Sequence, residues 1–191
     1  MRQLRVGVIG ERGSGKDTVG DYLAQHYNCR KISIATPIKA IVVAAFEAAG
    51  IETSDKGSLR APLQEAGLAG RRVDNDLWVR SLVDRHELEE LHQGTGFVVT
   101  DIRYPNEAAI LRSCGFILLR VEASAELRRA RSLARGDGSW KDEDSLHVSE
   151  VEQRTIVADH LIANDTDDKT NLYAAIETIL APYVYPTAAN F

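Results

Sequence analysis

A chain of 191 residues with 44% apolar and 27% charged residues has the composition of a folded globular protein, and it is too short for two ordinary domains. Its formal net charge of −5 argues against broad binding to nucleic acid or to an anionic membrane surface. No stretch approaches the roughly 18 consecutive apolar residues of a membrane span, and the sequence enters its first strand without a signal peptide. We therefore expect one cytoplasmic domain over residues 1–191, with no nucleic-acid or membrane partner and with Cys29 and Cys114 as free thiols.

The first segment with a chemical signature is a glycine-rich loop. An apolar strand pattern over Val6–Ile9 is followed at once by three glycines, a lysine and an amphipathic helical pattern. In this order, strand, loop and helix form a phosphate-binding site, because backbone N–H groups and the positive end of the helix face an anion. The residues predicted to bind the phosphates of a nucleoside triphosphate are Gly10, Arg12, Gly13, Ser14, Gly15, Lys16, Asp17 and Thr18.

Asp17 stands where the general pattern G-x-x-x-x-G-K-[ST] has a hydroxyl residue. A carboxylate at this position can hold Mg²⁺ directly or through water, and Thr18 supplies a hydroxyl one residue later. The alternative is that Asp17 only places a favourable negative charge in the first helical turn.

The segment after the first helix is unusual in holding several helices and no strand. A strand over 30–35 precedes three predicted helices, which span about 37–50, about 59–68 with a break at Gly67–Gly70, and about 76–92. Residues 36–95 therefore form a helical insertion between two strands. Such insertions commonly determine substrate specificity. Within residues 36–95, Arg71 and Arg72 suit an acceptor anion, although solvated surface charge is the alternative for either one.

Two continuous apolar runs, at 96–101 and 115–121, are typical of strands in a parallel sheet covered on both faces. Asp101 ends the first run, and the carboxyl ends of parallel strands face the ligand crevice. Its carboxylate can hold Mg²⁺ through water or accept a hydrogen bond from a substrate hydroxyl. Arg103 can bind the acceptor phosphate through two N–H groups. The alternative is a structural Asp–Arg pair at a strand end.

A helix over about 125–134 carries several arginines. Arg131 and Arg135 are one turn apart beside a glycine-bearing loop, which predicts a lid over about 128–147 that closes on the phosphates. A solvated helix is the alternative. Capping-box spacing at Ser149–Glu152 predicts another helix start.

The last predicted elements are a strand at 160–163 and a helix over about 170–180 that ends before Pro182. Asn164 follows the strand. It is a candidate for the border of an adenine pocket, or else part of a simple turn.

Taken together, these motifs resemble the deoxynucleoside monophosphate kinases of bacteriophages, which have the P-loop nucleoside monophosphate kinase fold. The matching segments are Gly13–Thr18, Ala35–Lys39, Leu63–Gln64 with Gly67, Asp76–Val79, Thr100–Glu107, His147–Glu150 and Asn164–Asp165. The resemblance implies a three-layer α/β/α sandwich with a five-stranded parallel sheet, an acceptor-binding helical region and an arginine-bearing lid. An aspartate after the loop lysine is usual in this family.

The resemblance also implies acceptor contacts at Lys39, Gln64 and Trp78, and at Arg71 or Arg72, which it assigns only as a pair. We therefore expect a kinase that transfers the γ-phosphoryl group of ATP, with Mg²⁺, to a deoxynucleoside 5′-monophosphate. The residues expected to act in catalysis are Lys16, Asp101, Arg103, Arg131 and Arg135. The alternatives are another small-molecule P-loop kinase, of the dephospho-coenzyme A or phosphomevalonate type, and a non-catalytic nucleotide-binding regulator. The accepted base is left open, and a homodimer is possible.

Overall fold

Five parallel strands form the centre of the computed structural model, which describes residues 3–53, 58–84, 94–135 and 148–184. Their order across the sheet is β2-β3-β1-β4-β5, which confirms the predicted five-stranded parallel sheet. The strands are β1 (Arg5–Ile9), β2 (Cys29–Ile32), β3 (Gly96–Val99), β4 (Ile117–Glu122) and β5 (His160–Ala163).

Helices cover both faces of this sheet. Those in the described residues are α1 (Lys16–His26), α2 (Thr36–Ala48), α3 (Arg60–Val73), α4 (Leu77–Asp84), α5 (Pro105–Ser113), α6 (Ala125–Ala134), α7 (Val148–Thr155) and α8 (Lys169–Val184). Three of these described helices, α2, α3 and α4, lie between β2 and β3, as the predicted helical insertion requires.

Two hydrophobic cores lie on opposite sides of the sheet because successive strand residues point to opposite faces. Val6 and Val8 of β1 pack with α1 and α8, in a core that includes Leu23 and Ile176. Ile9 belongs to the other core, which α2, α4 and α5 cover. Both faces of the central strands are buried, which explains their continuous apolar sequences.

The strand register brings the loops that carry chemistry to one edge of the sheet. β1 pairs in parallel with both β3 and β4, so the segments that follow these three strands emerge side by side. The chain crosses from one side of β1 to the other between β3 and β4. Ligands of open α/β sheets bind at such a change of direction, beyond the carboxyl ends of the strands.

Helix α3 corrects one sequence-based expectation. The break predicted at Gly67–Gly70 is wrong, because α3 continues to Val73. The two glycines bring α3 close to Trp78 instead: the Gly67 carbonyl oxygen accepts a hydrogen bond from the indole N–H at 2.9 Å, and the ring lies against Gly70. Close packing with α4 therefore outweighs the low helix propensity of glycine.

Helix α8 corrects a second expectation. It runs to Val184 and contains Pro182, although the sequence predicts that it ends before that residue. Pro182 cannot donate a helical hydrogen bond, but residues on both sides of it make tertiary contacts. Leu180 is fully buried, and the Tyr183 hydroxyl lies 2.9 Å from Nε2 of His160.

Other boundaries differ less. β2 ends at Ile32 rather than at residue 35, and the described part of the third predicted helix is α4, Leu77–Asp84. The predicted features at 54–57, 85–93, 136–147 and 185–191, including most of the lid, lie outside the described residues.

Neither cysteine forms a disulfide, as predicted. Burial raises the pKa of the Cys29 thiol to about 11, whereas Cys114 is partly exposed. In the part of the chain that the structure describes, no helix is long and apolar enough to cross a membrane.

The close approach of α3 and α4 predicts that Gly70→Ala destabilises the protein. A Cβ at this position would lie 2.2 Å from Cζ2 of Trp78, so the ring must move. We expect a loss of about 1–3 kcal/mol in the free energy of unfolding, measured by urea denaturation.

Gly67→Ala is the matched control on the same helix. Its Cβ would meet only Nη1 of Arg71 at 3.2 Å and Cδ1 of Ile38 at 3.6 Å. Better helix propensity, worth up to about 1 kcal/mol, should make this variant neutral or more stable. Equal stability of the two variants would contradict the packing argument.

Candidate active site

The glycine loop connects β1 to α1 and requires glycine at two positions. Gly13 and Gly15 have φ angles of 83° and 103°, in the left-handed region that residues with a Cβ rarely adopt. A Cβ on Gly13 would also lie 2.5 Å from the carbonyl oxygen of Arg128, and one on Gly15 would lie 2.3 Å from Nδ2 of Asn164. Both the backbone angles and the neighbouring atoms therefore require glycine at positions 13 and 15.

Asn164 supports the loop from the end of β5. Its side-chain Nδ2 donates a buried hydrogen bond of 2.8 Å to the carbonyl oxygen of Ser14, and the residue is 7% exposed. The amide of Asn164 thus helps to hold the glycine loop in shape. Its place at the border of an adenine pocket stays a prediction.

Lys16, the first residue of α1, lies among charged groups from distant parts of the chain. Burial is the largest cause that lowers the pKa of its ammonium group, and the nearby cations Arg103 and Arg135 lower that pKa further. The carboxylates of Asp17 and Glu150 act in the opposite direction on the same pKa. The charges of Arg103 and Arg135, which are far from Lys16 in the sequence, therefore act on this lysine in the folded chain.

Glu150 is a site residue that the sequence analysis did not single out. It lies on α7, is mostly buried, and forms an ion pair with Arg103. Its negative charge also acts on the Lys16 ammonium. In the sequence, only its position in His147–Glu150, one of the segments that resemble the deoxynucleoside monophosphate kinases, points to a functional role.

One face of helix α7 borders the site, a position that the sequence did not predict. Besides the Glu150 pair, Nε2 of Gln153 donates to the carbonyl oxygen of Ile102 at 2.9 Å, and Arg154 pairs with Glu11 at 2.8 Å. Residues separated by three and four positions share a helix face. This face of α7 therefore spans the segments that follow β1 and β3.

Glu11 gives the phosphate loop a negative charge between two arginines. Its carboxylate pairs with Arg128 of α6 at 3.0 Å and with Arg154 of α7 at 2.8 Å. A cavity of about 280 Å³ opens here between Gly10, these three side chains and the end of β4. The cavity lies at the edge of the sheet where the fold predicts a ligand.

The two carboxylates predicted to hold Mg²⁺ differ in their surroundings. Asp101 accepts three hydrogen bonds from the start of the helical insertion: 2.7 Å from the Ser33 hydroxyl, 3.1 Å from the Ile34 N–H and 2.9 Å from the Ala35 N–H. These contacts explain why β2 ends at Ile32, since the next N–H groups turn to Asp101. Asp101 therefore has a structural role that the sequence did not predict.

Asp17 is exposed, and its Oδ1 accepts a hydrogen bond of 3.0 Å from the Thr100 hydroxyl. Among the described residues, no group of three or more His, Cys, Asp or Glu side chains could hold a metal ion. Mg²⁺ needs only one or two carboxylates in such a site, together with phosphate and water oxygens.

The arginine doublet at the end of α3 is separated by the structure. Arg71 is 14% exposed and points to the end of β3, where it pairs with Glu107 at 2.5 Å and lies 4.1 Å from the ring centre of Tyr104. Arg72 is exposed. Arg71 is therefore the member of the pair that is connected to the rest of the site.

The remaining predicted acceptor contacts have mixed surroundings. Lys39 is exposed near the start of α2, and Gln64 is half-buried on α3. Trp78 is only 6% exposed, and its indole N–H is bonded to Gly67. Packing of α3 on α4 thus accounts for Trp78, and little of its surface is open to an acceptor.

Arg131 and Arg135, the predicted lid arginines, have different environments. The Arg131 guanidinium donates to the carbonyl oxygens of Asn164, at 3.0 Å, and Thr166, and it pairs with Asp167 at 3.4 Å. These contacts join α6 to the segment after β5, which the lid prediction did not anticipate. Arg135, at the end of α6, is the one whose charge acts on Lys16.

Comparison with protein families gives a match over residues 5–70, from β1 to α3, to the deoxynucleotide monophosphate kinase family. This match confirms the resemblance predicted from the sequence motifs.

Two curated proteins of Ictalurid herpesvirus 1 (strain Auburn) are also similar, and both are uncharacterized. ORF76 is 28% identical over 81% of this chain, and ORF77 is 29% identical over 56% of it. The chain spans 62% and 45% of the lengths of these relatives.

Several solved structures have the same fold, and three of them are kinases by name. A sugar kinase from Janibacter sp. HTCC2649 aligns over 95% of this chain and 98% of its own, with a TM-score of 0.59 and 19% identity. Shikimate kinase from Acinetobacter baumannii aligns over 94% of both chains, with a TM-score of 0.55 and 15% identity. A gluconokinase from Sinorhizobium meliloti 1021 aligns over 96% of this chain and 98% of its own, with a TM-score of 0.54 and 17% identity.

These structural likenesses confirm the predicted fold. The chain therefore has the fold of these kinases, and its residues 5–70 match the pattern of the deoxynucleotide monophosphate kinase family.

Proposed function

We propose that this protein transfers the γ-phosphoryl group of ATP to a deoxynucleoside 5′-monophosphate. The observation that carries the proposal is the glycine loop, whose backbone requires glycine at positions 13 and 15, followed at once by Lys16 at the start of α1; the charges of Arg103 and Arg135 act on this lysine. Phosphoryl transfer requires alignment and neutralisation of negative charge more than covalent chemistry. Cations from three separate elements around one anion loop supply both.

The donor phosphates bind to the glycine loop in this proposal. Gly10 to Thr18 supply backbone N–H groups, and the Lys16 ammonium binds the β- and γ-phosphates. Mg²⁺ bound to ATP would neutralise phosphate charge. Asp17, exposed beside Thr100, would hold that ion directly or through water, and Asp101 would reach it only through water.

The acceptor phosphate binds on the opposite side of Lys16, next to β3 and the helical insertion. Arg103 would bind this phosphate, and the ion pair with Glu150 orients its guanidinium. A monophosphate acceptor is already ionised near neutral pH. The reaction therefore needs no general base, and the carboxylates of the site act by holding cations in position.

A second candidate is a kinase for a different small molecule, such as a sugar, shikimate, dephospho-coenzyme A or phosphomevalonate. The observation that favours it is the fold, which this chain shares with a sugar kinase and with shikimate kinase. The family match over residues 5–70 favours the nucleotide.

A coupled assay for ADP release separates the two candidates. It would present ATP and Mg²⁺ with each of the four deoxynucleoside monophosphates, their ribose counterparts, shikimate, gluconate, dephospho-coenzyme A and phosphomevalonate. We expect ADP release that depends on at least one deoxynucleoside monophosphate. Turnover with only a non-nucleotide acceptor would favour the second candidate, and ADP release without any acceptor would contradict both.

Replacement of Lys16 is expected to abolish most turnover. Removing one group that stabilises transition-state charge typically costs about 10²–10³ in kcat, and Lys16→Ala should lose at least that factor. Lys31→Ala is the matched control, because Lys31 is an exposed lysine of β2 that pairs with Asp21. Near-normal kcat for a folded Lys16→Ala variant would contradict the proposed site.

Two arginine variants are expected to separate acceptor binding from catalysis. Arg103→Ala should weaken monophosphate binding about 10- to 150-fold, as expected for loss of a charge-assisted hydrogen bond, and leave ATP binding nearly unchanged. Arg135→Ala should lower kcat more than it changes either binding constant. Calorimetric titration of each ligand separately, together with steady-state kinetics, checks both expectations. Weaker ATP binding with normal monophosphate binding in Arg103→Ala would reverse the two pockets.

A further inference from the structure

Glu107 is a buried carboxylate that none of the proposed steps uses. It lies in the first turn of α5, and it is 1% exposed. Its Oε1 accepts a hydrogen bond of 2.5 Å from Nη2 of Arg71. Its Oε2 accepts from the backbone N–H groups of Arg103 at 2.8 Å and Tyr104 at 3.1 Å. One side chain therefore connects α3 to the segment that follows β3.

Helix capping alone does not explain this arrangement. A capping glutamate needs to accept only from the N–H group at the start of the helix, which here belongs to Tyr104. Burial of the charge costs free energy, and this burial is the largest cause that raises the pKa of Glu107, against the hydrogen bonds that lower it. The additional contacts with Arg71 and with the Arg103 backbone distinguish Glu107 from an ordinary cap.

Arg71 is held by contacts that depend on the same region. Its guanidinium carbon lies 4.1 Å from the ring centre of Tyr104, and Nη1 donates to the Gly67 carbonyl oxygen at 3.2 Å. Glu107 supplies the opposite charge at 2.5 Å. The planar guanidinium is thus fixed in both position and orientation, which a lysine could not reproduce.

We propose that Glu107 is a positioning residue for the acceptor phosphate. Through its two carboxylate oxygens it holds Arg71 of the helical insertion and the backbone of Arg103 in one fixed arrangement, so that both arginines serve the same acceptor. Glu107 is buried and acts through these groups without touching the substrate. This inference rests on the proposed kinase function and assigns a role within its acceptor site.

Glu107→Gln is the most informative variant. It keeps the size of the side chain but removes the charge and replaces one acceptor oxygen with an NH₂ group, which cannot accept from Arg71 or from the backbone. We expect KM for the deoxynucleoside monophosphate to rise about 10- to 150-fold, since hydrogen bonds to charged groups would be lost. KM for ATP should stay within about twofold, because the hydrogen bonds of Glu107 go to Arg71, Arg103 and Tyr104, which lie outside the glycine loop.

Glu65→Gln is the matched control. Glu65 is exposed on α3, so the same chemical change there should alter neither KM value. Arg71→Lys is the second variant, for use if Glu107→Gln does not fold. It keeps the positive charge but loses the planar contact with Tyr104, and we expect it to raise KM for the acceptor alone. Thermal denaturation of every variant separates loss of stability from loss of acceptor binding.

The outcomes distinguish this inference from the proposed function. An active wild type with an unchanged acceptor KM in folded Glu107→Gln, or in Arg71→Lys if that variant must be used, would overturn the inference alone. Equal increases in both KM values would also overturn it, because they indicate a general structural effect. A wild type that accepts no deoxynucleoside monophosphate would overturn the proposed function, and the inference with it.

Discussion

The site depends on one electrostatic constraint: a lysine ammonium group lies partly removed from water at the start of α1. Such a group is costly unless neighbouring charges and ligands compensate for its lost hydration. Burial and two arginines lower the pKa of this group, and two carboxylates raise it. In the proposed function, an anionic phosphate group would supply further compensation for this ammonium group.

Carboxylates around this centre mainly hold other groups in place. Glu11 lies between Arg128 and Arg154, Glu150 pairs with Arg103, and Asp101 binds the backbone at the start of the helical insertion. A chain with a net charge of −5 can therefore present a cationic site, because its acidic groups fix the direction of the arginines. Such preorganised charge is commonly the largest contribution to catalysis.

Much of the fold was predictable because local patterns carry it. The apolar strands, the glycine spacing before Lys16 and the helix over 125–134 all follow from rules that act within a few residues. The errors have tertiary causes. Glycines that predict a break in α3 instead admit the Trp78 ring, and packing of Leu180 and Tyr183 lets α8 continue past Pro182.

The site was less predictable than the fold because its contacts join residues that are distant in sequence. From the sequence, Asn164 and Arg131 can be recognised as polar residues that follow strands of the sheet. The sequence does not reveal that one supports the Ser14 carbonyl oxygen or that the other anchors the segment after β5. Glu150 was missed for the same reason, because only the docking of α7 brings it to Arg103.

The hydrogen bond from Asn164 to Ser14 also bears on how a nucleotide would be captured. A loop already held in its final shape loses little conformational entropy when a ligand arrives. Encounter with the triphosphate would then lead to binding without a slow search among loop conformations, and the association rate would be set mainly by diffusion and charge. Any slow rearrangement in the catalytic cycle would have to arise elsewhere, after the first ligand has been bound.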